Sequence, residues 1–293
     1  MVGGPAGAVA LFMPTMLTTT PDGPVCWEAR VTDVHEGASP RPELTVELRE
    51  DHVATLEFSR PPSNYFSVGL ISQIADACDE LAAGGRCRAI VLCSTGRVFC
   101  AGADFGGAHA IGAPDGTHLY DHAVRLFQQP LPVVAAVQGA AIGGGLGLAM
   151  AADFRVAVPE ARFAANFALL GIHHGFALSV TLPAAIGQQA AMDLLYTGRR
   201  ITGAEALALG LADRLAPAGQ ARDDAHALAV QIATSAPLAI RSIRATIRGQ
   251  LADRARAAMA RERAEQERLM QTADWQEGLA AVAQRRPASF NGR

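Results

Sequence analysis

The sequence contains no lysine, and its 25 Lys and Arg positions are all arginine. A chain without lysine cannot form a Schiff base with a carbonyl substrate or use an amine as general base, which excludes both kinds of catalysis. The formal net charge of −3 does not point to nucleic acid as a partner. Aromatic residues are also scarce, at 5% of the 293 residues, but half of the chain is hydrophobic, which allows a sizeable core in one or two globular domains.

Cysteines are few and lack the paired spacing of metal ligands. Their number is odd, so we expect reduced thiols, no bound metal and a cytoplasmic protein. One of them, Cys100, is either a nucleophile or a small buried residue beneath a turn. The second interpretation is favoured because no His or Asn partner lies in an adjacent motif. The five are Cys26, Cys78, Cys87, Cys93 and Cys100.

Membrane-spanning and secretory segments are missing as well. No uninterrupted apolar stretch is long enough to span a membrane, and Ala8-Val-Ala-Leu-Phe-Met13 lacks the basic flank of a secretory signal. We expect a soluble protein without a membrane partner. Residues 1–43 are rich in Pro, Gly and Thr without sustained periodicity, which indicates a loosely ordered extension or an overlong assigned start.

Familiar phosphate and nucleophile motifs are absent. There is no Gly-x-x-x-x-Gly-Lys-Ser/Thr loop, and Gly145-Leu-Gly-Leu-Ala-Met150 lacks the third small residue of a dinucleotide fingerprint. The Gly-x-Ser-x-Gly elbow of serine hydrolases does not occur either.

Two glycine-rich turns are the most informative features that are present. They are Val98-Phe-Cys-Ala-Gly-Ala-Asp104 and Gly139-Ala-Ala-Ile-Gly-Gly-Gly-Leu-Gly147, and the apolar runs 88–93 and 133–137 precede them as predicted buried strands. Small residues let a ligand oxygen approach backbone N–H groups, and two converging donors form an oxyanion hole for a thioester carbonyl. The alternative is that the glycines serve only close packing at strand ends.

An alternation of short β-type runs with helical runs begins at Leu44 and predicts an α/β fold. After Ser235-Ala-Pro237 the composition changes, and 238–272 is dense in Ala, Arg, Glu and Gln, which predicts helices. We therefore divide the chain into 1–43, 44–236 and 237–293. The predicted core elements are strand 44–58, helix 68–83, strand 88–94, helix 116–128, strand 132–138 and helix 143–151.

The two turns, about forty residues apart, resemble those of the enoyl-CoA hydratase/isomerase (crotonase) superfamily. The resemblance extends over residues 44 to 293. It implies a crotonase-like spiral of ββα units, with a C-terminal helical region through which subunits assemble into a homotrimer or a hexamer. The segments that carry it are Val53-Ala-Thr-Leu-Glu-Phe-Ser-Arg-Pro-Pro62, Ala152-Asp-Phe-Arg-Val156, Leu195-Tyr-Thr-Gly-Arg-Arg-Ile201, Glu277-Gly278 and Arg286-Pro-Ala-Ser-Phe290.

The resemblance also implies an acyl-CoA thioester substrate and two amide donors for its carbonyl. These donors fall on the N–H groups of Ala103 and Gly144, and the neighbouring residues Ala101, Asp104 and Gly143 are expected to contact the substrate. Gly144 opens the predicted helix 143–151, whose N-terminal dipole favours developing negative charge. Coenzyme A enters as part of the substrate, and no separate cofactor is implied.

A second loop, Arg60-Pro-Pro-Ser-Asn64, resembles the family's binding site for the nucleotide end of CoA. It is one residue shorter than the commonest version. Arg60 would meet a phosphate, and the backbone near Ser63 and Asn64 would meet adenine. The other interpretation of Arg60 is a solvated charge at the end of a strand.

The acid/base groups depart from the family pattern. Family hydratases use two glutamates to hold and activate one water, and the corresponding positions here are Gly147 and Phe167. A third position, which carries an aspartate in some relatives, aligns with Gly175. Neither a glycine nor a phenylalanine can take up a proton, so hydration is in doubt, and Phe167 instead indicates an apolar pocket lining.

Nearby titratable groups are few. His173 and His174 lie in the loop expected to line the acyl pocket, and histidine is well suited to general acid/base work; the alternative is that both are solvated or bonded to backbone. Tyr120 aligns roughly with a position that carries a catalytic His in some relatives. The alternative for Tyr120 is one buried aromatic on a surface helix.

We therefore expect an enzyme that stabilises the enolate of an acyl-CoA thioester. Isomerisation, or hydrolysis of a thioester or C–C bond assisted by a histidine, is at least as plausible as hydration. A non-catalytic acyl-CoA-binding homologue, which kept the oxyanion hole and lost the chemistry, is the alternative from another class.

Overall fold

The computed structural model describes residues 42–105 and 111–293 in full and the backbone alone of 25–28. A larger sheet combines antiparallel strands at one edge with parallel strands from β3 onward, and elements are numbered in chain order. Across the sheet, the strands are β1 (Val25–Glu28), β2 (Leu44–Leu48), β3 (Val53–Phe58), β4 (Ala89–Ser94), β6 (Val133–Val137), β8 (Phe154–Ala157) and β11 (Arg214–Leu215).

The middle of this sheet forms the core. Every residue of β4 and β6 is buried, as expected for parallel strands that are covered on both faces. This burial explains why their sequences are continuous apolar runs rather than alternating ones.

After each of the strands β4, β6 and β8, the chain enters a smaller, four-stranded sheet. Each of these strands is followed by a short parallel strand and then by a helix or a 3₁₀ turn. The repetition confirms the expected spiral of ββα units. The strands of the smaller sheet are β5 (Val98–Cys100), β7 (Ala140–Ile142), β9 (Arg162–Ala164) and β10 (Ile201–Thr202).

The helices are α1 (Val68–Ala83), α2 (Leu119–Gln128), α3 (Gly144–Ala151), α4 (Leu178–Ile186), α5 (Gln188–Thr197), α6 (Gly203–Leu209), α7 (Ala221–Ala233), α8 (Pro237–Leu269) and α9 (Ala273–Ala283), with a 3₁₀ turn at Asn166–Leu170. Side chains cap the N-termini of the four helices α1, α2, α6 and α9. Ser67, for example, accepts a hydrogen bond from the Leu70 N–H at 3.2 Å and caps the first helix.

Two elements differ from the prediction. The single strand expected over 44–58 is two antiparallel strands, because the chain reverses at His52, whose φ is 66°. Hydrogen bonds from the Arg49 N–H to the Val53 carbonyl and from the His52 N–H to the Arg49 carbonyl, both 3.1 Å, close the turn. Within 1–43, Val25–Glu28 forms a strand that pairs with β2; residues 1–24 and 29–41 lie outside the described residues.

The C-terminal helices pack on the spiral of their own chain. α8 lies against α2 and α4, and α9 lies against the 3₁₀ turn. Gly278 touches Leu170 so closely that a Cβ would come within 2.8 Å of the Leu170 Cα, and the Trp275 ring stands edge-on to Phe105 at 5.1 Å. Across the described ranges, no helix is both long and apolar enough to span a membrane.

Candidate active site

The two glycine-rich turns lie against each other at the ends of the paired strands β5 and β7. Gly102 has a φ of 101°, and a Cβ on it would lie 3.2 Å from the Ile142 carbonyl oxygen and 3.4 Å from the Gly144 nitrogen. A Cβ on Gly145 would overlap the Cys100 carbonyl. The packing between the turns therefore requires glycine at 102 and 145.

Ala103 presents a backbone N–H that no described residue accepts. Phe66 bridges the residues on either side of it: its N–H donates to the Gly102 carbonyl at 2.9 Å, and its carbonyl accepts from the Asp104 N–H at 3.2 Å. Because successive N–H groups of an extended chain point to opposite sides, the Ala103 N–H faces away from Phe66. Among the described residues nothing accepts it, and Ala103 is partly exposed.

Gly144 presents a second N–H of this kind. It is the first residue of α3, and the first N–H groups of a helix have no acceptor within the helix. The preceding Gly143 N–H donates to the Ala164 carbonyl at 2.8 Å, whereas no described residue accepts from Gly144. Gly144 is partly exposed, whereas the glycines on both sides of it are buried.

Aromatic rings surround the two donors. A Cβ on Gly144 would lie 2.5 Å from the Phe66 Cζ, so this ring covers the start of α3. The rings of Phe66 and Phe176 are 5.6 Å apart, and the Phe167 Cζ would be 3.7 Å from a Cβ on Gly143. The site is therefore walled by apolar groups, as expected for Phe167, and such surroundings strengthen hydrogen bonds to a ligand oxygen.

The family's acid/base positions are filled by other side chains. A Cβ on Gly147 would overlap the Phe176 Cβ and lie 2.9 Å from its Cγ. A Cβ on Gly175 would overlap the Tyr120 hydroxyl and lie 2.6 Å from the Gln266 Nε2. No side chain larger than hydrogen fits at either position, so a carboxylate is excluded there by packing as well as by sequence.

His173 and His174 stack on each other with ring centroids 4.1 Å apart. The His173 Nδ1 lies 2.7 Å from the His174 carbonyl oxygen, and the His174 Nε2 lies 3.9 Å from Glu262 Oε1. Burial, assisted by the neighbouring His173, lowers the pKa of His174 to about 4, so its ring is neutral at pH 7. The His174 Nε2 is buried and has no hydrogen-bond partner among the described residues.

Tyr120 sits at the centre of a buried polar network. Its hydroxyl donates to Gln266 Oε1 at 2.9 Å and accepts from the Phe176 N–H at 3.2 Å. Burial raises the Tyr120 pKa above its usual value, so the phenol stays protonated. Both of these hydrogen bonds are made within the protein, so Tyr120 is a structural contact of the loop 173–179.

Arg60 is engaged by neighbouring side chains. Its guanidinium pairs with Glu43 at 3.0 Å and with Asp104 at 3.7 Å, and it donates to the Tyr65 carbonyl at 2.9 Å. The pairing links the predicted nucleotide loop to the turn that carries Ala103. A phosphate would have to compete with two carboxylates for this guanidinium.

Asn64 holds the predicted nucleotide loop in shape. Its side chain accepts from the Arg60 N–H at 2.8 Å and donates to two carbonyls of segment 95–98 at 2.7 Å each, and its φ is 50°. The Ser63 carbonyl accepts from the Ala101 N–H at 3.1 Å, which ties the loop to the first turn. The two predicted binding regions are therefore contiguous.

Cys100 is fully buried beneath the first turn, with its Sγ 3.9 Å from the Gly102 carbonyl. Burial raises its pKa to about 12, so the thiol is protonated at neutral pH. This is the small buried residue that the sequence favours. Among the described residues, no group of three His, Cys, Asp or Glu side chains could hold a metal ion.

Solved structures of acyl-CoA enzymes share this fold. An enoyl-CoA hydratase/isomerase from Pseudoalteromonas atlantica T6c matches with a TM-score of 0.79 and 30% identity over 85% of this chain and all of that one. An enoyl-CoA hydratase from Mycobacterium avium subsp. paratuberculosis K-10 matches with a TM-score of 0.76 and 28% identity over 86% of this chain and all of that one. The architecture is thus of the crotonase class.

Sequence comparison identifies the family within that class. The enoyl-CoA hydratase/isomerase family model matches residues 49–293, and the chain belongs to this family. An enoyl-CoA isomerase/hydratase of Zymoseptoria tritici is 33% identical over 262 residues, which are 82% of this chain and 84% of that protein. Another from Mycosarcoma maydis is 34% identical over 212 residues, which are 70% and 77% of the two chains.

Two residues near the site were not predicted from the sequence. Glu262 and Gln266 lie on α8, are 1% and 5% exposed, and contact the pocket loop. They stand in a charged helical stretch that looks solvent-facing. From Ala252 onward, the buried positions of α8 recur at intervals of three and four residues, and this spacing is the signal that could have found them. They are Ala252, Ala255, Met259, Glu262 and Gln266.

Proposed function

We propose that the protein binds the thioester carbonyl of an acyl-CoA between the N–H groups of Ala103 and Gly144 and stabilises the enolate formed from it. The observation that carries this proposal is the pair of partly exposed N–H groups on adjoining turns, neither with an acceptor among the described residues. A carbonyl oxygen there would receive two hydrogen bonds as it becomes negative. The α3 dipole adds to the stabilisation.

Removing one such donor should have a large effect on turnover. Loss of one oxyanion-hole hydrogen bond costs about 3 kcal/mol of transition-state stabilisation, which is about 10²-fold in rate. The apolar rings of Phe66 and Phe176 beside the donors support an effect of this size, because a hydrogen bond is stronger in apolar surroundings than in water.

Isomerisation of an unsaturated acyl-CoA is the reaction that these residues support best. Moving a double bond requires a proton to leave one carbon and return to another, with no water consumed. Hydration would require groups that hold a water, and the two expected positions carry Gly147 and Phe167. His174 is the proposed proton carrier, because its Nε2 is buried without a hydrogen-bond partner among the described residues and its loop packs Phe176 onto Gly147 and Phe66 beside the two donors. Its lowered pKa keeps the ring neutral at pH 7, although it also makes the ring a weaker base than a free histidine. His173 is the second candidate.

A non-catalytic acyl-CoA-binding protein is the second candidate function. Gly147 and Phe167, which stand where family hydratases carry glutamates, favour this function. The polar contacts of His173 and His174 also favour it, because they are made to the His174 carbonyl and to Glu262 and not to the two glycine-rich turns. It predicts binding of CoA thioesters without any product.

We also propose that the protein acts as a homotrimer or hexamer in the cytoplasm. Apolar side chains on α8 that the single chain leaves open support assembly, since buried apolar area drives association. Leu238, Ile243 and Ile247 are 78%, 54% and 73% exposed.

The test is to incubate the purified protein with saturated, α,β-unsaturated, β,γ-unsaturated and 3-keto acyl-CoAs and to identify products by mass spectrometry and chromatography. Interconversion of the two unsaturated classes is expected. Addition of water would mean hydration, free CoA would mean hydrolysis, and binding without product would favour the second candidate.

Ala103→Pro is the variant that tests the donor itself. Proline removes the N–H, and since that N–H has no acceptor among the described residues, no known protein hydrogen bond is lost. Ala103→Ser is the matched control, because it keeps the N–H and adds one oxygen. Turnover should fall about 10²-fold in the first variant and stay near the wild-type value in the second.

A further inference from the structure

The C-terminal helix α8 buries two polar side chains one helical turn apart. Glu262 and Gln266 are among the least exposed residues of a helix that is otherwise rich in solvated charges. Burying a carboxylate and an amide is unfavourable unless each finds partners, so their contacts show what they are there to hold. All of those contacts lie on the pocket loop 173–179 or on Tyr120, which itself bonds to that loop.

Glu262 caps α4 from outside. Its carboxylate accepts from the N–H of Ala177 at 2.8 Å, from the N–H of Ser179 at 3.1 Å and from the Ser179 hydroxyl. These are free donors at the start of α4, whose own N-cap residue, Ala177, has no side-chain acceptor. A negative charge at this end also complements the helix dipole.

Gln266 holds the other end of the loop. Its Nε2 donates to the His173 carbonyl at 3.0 Å, and its Oε1 accepts from the Tyr120 hydroxyl, which in turn accepts from the Phe176 N–H. Four backbone groups of the loop, on His173, Phe176, Ala177 and Ser179, therefore end on α8 directly or through one phenol.

The loop needs such support because of its backbone. Phe176 and Ala177 have φ values of 60° and 59°, a left-handed conformation that non-glycine residues avoid. This bend carries the Phe176 ring onto Gly147 in α3 and onto Phe66, the two groups that adjoin the Gly144 and Ala103 donors. A chain of contacts thus runs from α8 through the loop to the site.

We infer that Glu262 and Gln266 are positioning residues, through which α8 fixes the loop of its own chain that carries His174 and Phe176. The catalytic consequence rests on the function proposed above, whereas the positioning itself does not. The oxyanion donors lie on other elements, so releasing the loop should leave carbonyl binding largely intact and impair the step that needs His174 and Phe176 in place.

Glu262→Gln is the test, with Glu267→Gln as its matched control. The first variant replaces one carboxylate oxygen by an amide NH₂, which cannot accept a hydrogen bond. Whichever way the amide is turned, the N–H of Ala177 or that of Ser179 then faces another donor. The control makes the same change five residues further on, at an exposed glutamate whose one ionic partner among the described residues is Arg263. Tyr120→Phe is the second variant, since it keeps the ring and removes only the hydroxyl that links Gln266 to Phe176.

Hydrogen–deuterium exchange of the free protein is the first measurement. Amides of segment 175–179 should exchange about tenfold faster or more in Glu262→Gln and Tyr120→Phe than in wild type or in Glu267→Gln. Exchange in both variants equal to that of the control would overturn the inference. The exchange measurement does not depend on turnover, so it tests the positioning role of Glu262 and Gln266 even if the proposed function fails.

Kinetics supply the second measurement. We expect kcat of Glu262→Gln to fall by about 10²-fold with KM nearly unchanged, because misplacement of a catalytic group by about 1 Å has an effect of this size. A change in KM alone, or wild-type kcat beside faster exchange, would overturn the catalytic part of the inference. If the wild type converts no acyl-CoA, the proposed function fails, and the exchange result stands by itself.

Discussion

Adding a methyl group at Gly147 should not stabilise the protein, although the same change elsewhere in a helix does. An added Cβ would overlap the Phe176 Cβ and lie 2.9 Å from its Cγ. Overpacking of a tight core costs about 1–3 kcal/mol, whereas replacing a helical glycine by alanine gains about 1 kcal/mol. Gly147→Ala should therefore be neutral to about 2 kcal/mol less stable than wild type.

Gly249→Ala is the matched control for this prediction. Gly249 lies inside α8, its φ is not positive, and a Cβ there would meet nothing within 4 Å. It should gain about 1 kcal/mol, so the two alanine variants should differ by about 1–3 kcal/mol in the free energy of unfolding. Urea unfolding followed by circular dichroism measures both values.

A third variant assigns the clash to its partner. In a Phe176→Gly background both the Phe176 Cβ and its ring are gone, and glycine tolerates the φ of 60° at that position, so Gly147→Ala should then behave like Gly249→Ala. A coupling of about 1–3 kcal/mol between the two positions is expected from this cycle. If Gly147→Ala stabilises the wild-type protein as much as Gly249→Ala does, position 147 has room for a side chain, and the packing argument against a carboxylate there is refuted.

Two further predictions concern stability. Burial lowers the pKa of both His118 and His174 from 6.5 to about 4. Between pH 6.5 and pH 4 the unfolded chain therefore binds more protons than the folded protein does. The free energy of unfolding should fall as the pH drops through this range, by about 3 kcal/mol per histidine. Urea titrations across this range should show a shallower fall for His118→Asn, which keeps a capping side chain. Asn64→Ala removes three hydrogen bonds to backbone at a buried position with a φ of 50°, and should lose about 3 kcal/mol, whereas Asn64→Gly should lose less because glycine tolerates that conformation; an unchanged melting temperature in Asn64→Ala would contradict this.

Local signals predicted much of the fold. The helix predicted over 68–83 is confirmed, because α1 has the same bounds. The strand over 44–58 was wrong as a single element because the chain turns at Glu50-Asp51-His52 without a glycine or proline. The local signal that was missed is Asp51, a turn-favouring residue whose side chain accepts from the Val53 N–H at 3.0 Å. The spiral itself came from the resemblance, since periodicity does not distinguish it from a doubly wound sheet.

The site was predictable only where it depends on the local chain. The two glycine-rich turns can be recognised in the sequence, because the close approach of their backbones excludes side chains at Gly102 and Gly145. Glu262 and Gln266 depend on where α8 docks, more than eighty residues from the loop that they hold. Their residue types match those of solvated neighbours, so only the three-and-four spacing of the buried positions of α8 distinguishes them.

The most direct test of the central claim is the infrared spectrum of a ¹³C-labelled thioester carbonyl in a saturated, unreactive acyl-CoA bound to the protein. Two hydrogen bonds from Ala103 and Gly144 should lower its stretching frequency relative to free ligand. Ala103→Pro should reverse much of that shift, and Ala103→Ser should not. A bound carbonyl with the frequency of the free ligand, or a shift that Ala103→Pro leaves intact, would contradict the oxyanion hole proposed here.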